Sequence, residues 1–92
     1  MSKKIGKYTY FISDKKNKKL SVIVDGVRID FGSALYQNYF DKTSLLDKSY
    51  NHLDKERRRL YLLRAKGIKD KEGNLTYLNP LSPNFHSVRV LW

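Results

Sequence analysis

The stretch LSVIVDGVRIDFG, from Leu20 to Gly32, constrains the fold more than any other. Asp25-Gly26 separates two runs of β-branched and aromatic residues, and glycine tolerates the positive φ that a type I′ turn demands. The pattern predicts an antiparallel hairpin. Upstream, YTYFIS (Tyr8 to Ser13) has the same character, and the polar DKKNKK that follows it reads as a turn carrying lysine. Three antiparallel strands then form one meander. Side chains alternate along a strand, so Val22 and Val24 share a face, as do Val27, Ile29 and Phe31. Such an apolar face needs a cover.

Helical spacing further along the chain offers one. SALYQNYF, after Gly32, predicts a short helix capped by Ser33, with Leu35, Tyr36, Tyr39 and Phe40 on one side. A main helix is expected over about 51–66, starting at Asn51 with Asp54 three residues on, in the manner of a capping box, and stopping at Gly67. On its wheel Leu53, Leu60 and Leu63 cluster on the side expected to face the sheet. Lys55, Arg58, Arg59 and Lys66 fall opposite, while Arg57, Tyr61 and Arg64 run along the margin.

Beyond a turn at Glu72-Gly73, LTYLNP reads as a short strand or extended piece. Ser82-Pro83 then has the form of an N-cap and first helical position. Phe85, Val88 and Trp92 follow at roughly helical spacing, with a strand as the alternative for the last residues. An end as apolar as VRVLW is expected to dock against the core or a partner. The architecture expected is α+β: a three-stranded antiparallel meander packed against one main helix (about 51–66), with a short C-terminal helix or strand. It forms a single domain over 1–92, divided into a basic β-meander (1–32), a helical region (33–67) and a turn with an apolar C-terminal segment (68–92).

Charge sets the class of partner. Nineteen Lys and Arg against nine Asp and Glu give +10, a field that speeds encounter with polyanions and opposes self-association. It is unevenly placed. Lys3, Lys4, Lys7, Lys15, Lys16, Lys18 and Lys19 face Asp14 alone at the start, and eight more cations lie between 55 and 71 against Glu56 and Asp70. Asp54 can pair with Arg57 or Arg58 and Glu56 with Arg59 at helical spacings, yet the helix still carries four more cations than acids. Those charges need water or a partner.

Other functions find little material. There is no cysteine, so disulfides, thiolate metal sites and a cysteine nucleophile are excluded. His52 and His86 are the only histidines, too few and too far apart for a zinc site. No phosphate-binding glycine loop or nucleophile elbow exists. Tyr61 between Arg57 and Arg64 has the outline of a tyrosine nucleophile with arginine clamps, but a tyrosine packed beside arginine stems is far commoner. No apolar run is long enough to cross a bilayer, and MSKKIGKYTY lacks a signal peptide's apolar middle. The expectation is a non-enzymatic protein without metal or cofactor, off the membrane.

A spaced set of residues carries a resemblance: Phe31, Gly32, Tyr36, His52, Asp54, Arg57, Tyr61, Arg64, Phe85, Ser87, Leu91 and Trp92. In this order the set resembles a family of small basic proteins of large DNA viruses and crAss-like tailed phages, over about residues 20–92. The family pattern often has Arg-His where this chain has Arg64-Ala65. The resemblance implies a viral origin and a place in the virion or host cytoplasm, and supplies no reaction.

Two functions are therefore expected. In the first, nucleic acid (DNA in preference to RNA) is bound without regard to sequence by Lys55, Arg58, Arg59 and Lys66, flanked by Arg57 and Arg64 and by Lys15, Lys16, Lys18 and Lys19 of the first hairpin. Tyr8, Tyr10 and Phe11 are further candidates for stacking on bases, wherever they are not core. In the second, the protein is an auxiliary capsid piece whose basic surface meets an acidic capsid protein, with Phe85, Leu91 and Trp92 as the docking anchor.

Overall fold

The computed structural model describes residues 1–92. Four strands, β1 (Ser2–Ile5), β2 (Tyr8–Ile12), β3 (Lys18–Val24) and β4 (Val27–Ser33), form one antiparallel sheet in the order β1-β2-β3-β4. The β3–β4 turn has the expected geometry, with Asp25 at φ 50° and Gly26 at φ 77°. In place of the three strands expected there are four. The extra one, β1, pairs Lys3 with Tyr10 and Lys4 with Thr9. Its lysines give no apolar alternation to read, but suit an edge strand that must not recruit another chain.

One face of this sheet, bearing Tyr8, Tyr10, Leu20, Val22, Val24, Ile29 and Phe31, is buried. Val27 has the same parity as Ile29 but is exposed beside the turn. The cover is not the arginine-rich helix. It is α2 (Pro83–Val90), which packs along β4 and buries His86, Ser87 and Val90, followed by Leu91. Ser82 caps α2 by accepting from the Asn84 N–H, with Pro83 in the first turn. The alternative of a terminal strand is thereby replaced by a helix.

The arginine-rich helix, α1 (Lys55–Ala65), buries only Ala65. Leu53, Leu60 and Leu63, expected against the sheet, are 60%, 53% and 65% exposed. α1 begins four residues later than Asn51 suggests, because Asp54 itself is the N-cap, accepting from the N–H groups of Glu56 and Arg57. It stops as expected, with Lys66 as the C-cap and the Gly67 N–H on the Arg64 carbonyl. LTYLNP is not a strand either. Thr76–Leu78 form a 3-10 turn, and Leu75 makes one isolated bridge to Lys69.

No helix forms at SALYQNYF. The segment 34–54 is irregular apart from a 3-10 turn at Lys48–Tyr50, and polar side chains organise it. The Asp41 carboxylate accepts from the N–H groups of Thr43 and Leu46. Asn51 Oδ1 accepts from Asn38 Nδ2 and the Asp41 N–H. The segment then clasps the end of α2, with the Phe40 N–H on Leu91 O and the Lys42 N–H on Val90 O. Asn38, Asp41 and Thr43 are buried, and their hydrogen bonds offset the cost of burying polar groups.

Candidate anion-binding cleft

α1 leans away from the sheet and leaves a cleft of about 800 Å³ between itself, the end of β4 and the end of α2. Lys18, Lys19, Arg57 and Arg64 line it, and none of its eighteen lining residues is acidic. Tyr61 and Trp92 stand in it as a stacked pair, ring centroids 3.9 Å apart and planes 7° from parallel. The Tyr61 hydroxyl bonds Ser87 Oγ at 3.1 Å. Leu60 adds apolar surface above the buried Phe31 and Leu91, and Tyr36 stands 70% exposed beside it.

The two marginal arginines are the free ones. Arg57 makes one long contact of 3.5 Å with Gln37 Oε1, and Arg64 lies 5.7 Å from the centre of the Tyr61 ring; neither is in an ion pair. Helical rise places them about 10 Å apart along α1. An arginine fork without a carboxylate is a ready receptor for phosphate. Helix spacing placed Arg57, Tyr61 and Arg64 on one stripe; that the stripe walls a cleft follows from the lean of α1.

Lys19 is the buried member. Its ammonium donates to Asn38 Oδ1 at 3.0 Å and lies over the Tyr50 ring at 4.7 Å. Burial lowers its pKa to about 8, against a weaker pull from Asp41. Sequence patterning treats Lys19 as one of four loop lysines and misses this, because Asn38 and Tyr50 approach it from a segment without periodicity. Lys18 shares the cleft, whereas Lys15 and Lys16 lie outside its lining, and Lys15 reaches Asp30 at 4.0 Å.

The outward set on α1 is largely engaged within the protein. Arg58 Nε donates to the main-chain oxygen of Trp92, and its guanidinium lies over Tyr39. Arg59 is bonded to Glu56, which raises its pKa, and Lys66 lies over Tyr77. Lys55 is exposed. Arg58, Arg59 and Lys66 also border a shallower groove of about 420 Å³ with Leu62, Leu63 and Gly67. The anchor residues Phe85, Leu91 and Trp92 are spent on the protein's own core. Leu91 is 1% exposed, and the other two pack against the buried cluster. So are the tyrosines of β2, for Tyr8 and Tyr10 are buried.

Nine of the twelve residues that carry the family resemblance line the cleft: Phe31, Gly32, Tyr36, Arg57, Tyr61, Arg64, Ser87, Leu91 and Trp92. The other three support it or the core. His52 Nδ1 accepts from the Asp54 N–H, and its ring lies 5.2 Å from Trp92. Phe85 packs edge-on against Tyr8. No three of His, Asp and Glu gather as metal ligands, and no helix is long and apolar enough to cross a membrane. Compared with models of known families, with curated proteins and with solved structures, the chain matches none.

Proposed function

We propose that this is a non-enzymatic binding protein for polyanions, nucleic acid foremost, which it holds without regard to sequence through the α1 cleft. The observation that carries the reading is the convergence of Lys18, Lys19, Arg57 and Arg64 on one concavity with no carboxylate in its lining. Three of these cations have no acid to neutralise them, so a phosphate chain meets uncompensated charge in a partly dry setting, where each contact is stronger than on an open face. The +10 net charge adds steering toward such a ligand. Residues resembling the family of large DNA viruses and crAss-like phages gather in the same cleft, which supports a viral setting, the virion or the host cytoplasm.

Fluorescence anisotropy with random-sequence DNA at low and moderate salt tests the reading. Binding should fall steeply and linearly on a log–log plot as salt rises. Absence of binding at low salt would remove nucleic acid as the ligand.

A second reading is favoured by the outer groove of α1. There Leu62 and Leu63 lie between Arg58, Arg59 and Lys66, a mix of apolar and cationic surface suited to an acidic protein such as a capsid lattice. Counting copies in purified virions by mass spectrometry discriminates. A fixed ratio to the capsid protein supports the docking role, and a copy number that scales with packaged genome length supports the nucleic-acid role.

A further inference from the structure

Resting on the polyanion reading, we propose that the cleft admits a nucleotide base, so that the preferred ligand is single-stranded nucleic acid and not duplex. Charge alone does not require the surface found between the cations. A purely ionic site for phosphates is served by lysines and arginines on an open face. Here the space between Arg57, Arg64 and Lys18 is instead walled by the flat Tyr61–Trp92 stack and by the half-exposed Leu60, over a floor in which Phe31 and Leu91 are buried. A planar apolar body carrying a phosphate at its edge satisfies both parts of this lining. That is the chemistry of a nucleotide unit.

Size and exposure agree. A volume of about 800 Å³ lies within the roughly 300–1,000 Å³ of ligand pockets, which leaves room for a base with its sugar and a phosphate. Tyr36 is 70% exposed, which leaves a face on which a base can stack. A duplex keeps its bases stacked inside and offers the cleft only phosphates at the rim. A single strand can turn a base inward while its phosphates reach Arg57 and Arg64. DNA and RNA single strands share this chemistry.

Trp92 is the chain's only tryptophan and reports directly on occupancy. The experiment titrates the 92-residue protein with twelve-nucleotide oligo-dT, the same length of oligo-rU, a duplex of equal total charge, and inorganic polyphosphate of equal charge. It follows Trp92 fluorescence and anisotropy together. The expected result is quenching by either single strand, with affinity for it roughly tenfold or more above the duplex and above polyphosphate. The tighter of dT and rU identifies the natural source. Tyr36→Ala, at an exposed position, should weaken single-strand binding at least roughly fivefold, the loss of one stacked base, and leave duplex binding unchanged.

Equal affinity for single strand, duplex and polyphosphate, with no change at Trp92, overturns base admission while leaving polyanion binding intact. No binding of any of the four polymers overturns both.

Discussion

Arg58 Nε donates to the main-chain oxygen of Trp92 at 2.8 Å, tying the start of α1 to a residue 34 positions later. The guanidinium also lies 5.2 Å from the centre of the Tyr39 ring. A residue that a helical wheel points at solvent is therefore a brace, and α1 has few others, since it buries only Ala65. Arg58→Ala should lower unfolding free energy by about 1 kcal/mol, the lower range for a hydrogen bond from a charged donor at an exposed site. Arg59→Ala, which loses only an exposed pair with Glu56, should leave the unfolding midpoint where it is. Urea unfolding of both variants checks this, and an unchanged midpoint for Arg58→Ala would refute the brace.

Arg57 and Arg64 should show the opposite division. Arg57 reaches another segment only through its long contact with Gln37, and Arg64 only the Tyr61 ring of its own helix, so replacing both with Ala should leave the urea midpoint in place. Each lost phosphate contact lowers the salt slope of single-strand binding by about 0.7, so the pair should lower it by about 1.4. A slope equal to that of the unaltered protein would place the bound phosphates elsewhere.

The contrast between Arg58 and Arg57 shows what the sequence can convey. Periods of two and 3.6, turn glycines and caps are local properties, and they locate β2, β3, β4, α1 and α2 to within a few residues. Which helix lies on the sheet is decided by long-range packing. The leucines of α1 have the better-looking stripe, yet α2 takes the sheet, because Val90 and Leu91 fit beside Phe31 and because His86 finds two partners there. The segment 34–54 was less legible still. Its order comes from Asn38, Asp41 and Asn51, residue types as common in plain loops, and so the cleft edge that Asn38 forms with Lys19 leaves no pattern to read.

His86 is fully buried between Tyr10 and Pro80. The Pro80 carbonyl can only accept, so Nε2 carries the proton and Nδ1 accepts from the Tyr10 hydroxyl. Burial lowers the His86 pKa, with Arg89 adding to the effect. The folded state thus binds fewer protons than the unfolded one below about pH 6.5, the ordinary histidine value. Stability from this group is complete above that pH and is lost as pH falls through the depressed folded value. Tyr10→Phe should cost about 1–3 kcal/mol by leaving Nδ1 buried without a donor. Thermal melts from pH 7.5 to 5 should show the fall in the unaltered protein, and a flat profile would show that His86 is not held neutral.

Lys19 predicts a rise at the other end of the scale. Its folded pKa of about 8 lies below the ordinary value of 10.5. Between those values the unfolded chain binds the extra proton, so stability from this group grows as pH rises from 8 toward 10.5. Tyr10 opposes it beyond pH 10, because burial raises its pKa to about 12 and the folded state resists ionisation. Melts at pH 7.5, 8.5 and 9.5 should rise in order, and Lys19→Met should abolish the trend. If the variant keeps the rise, another group is responsible.

Gly32 joins the fold to the cleft more tightly than any side chain there. Its φ is 76°, and a Cβ at this position would stand 2.9 Å from Leu91 Cδ1 and 3.5 Å from Lys19 Cβ. Gly26 has nearly the same φ, 77°, but a Cβ there meets nothing within 4 Å. The two glycines therefore separate backbone strain from crowding. Gly26→Ala should cost about 1–2 kcal/mol, the left-handed penalty alone. Gly32→Ala should cost that and about 1–3 kcal/mol more, because Leu91 sits in a packed core and cannot withdraw freely. Since Leu91 precedes Trp92 in the cleft, only the Gly32 variant should also shift the Trp92 emission maximum. Equal destabilisation by the two substitutions, with emission unchanged in both, would mean that Leu91 yields without resistance and that the cleft floor is not set by this contact.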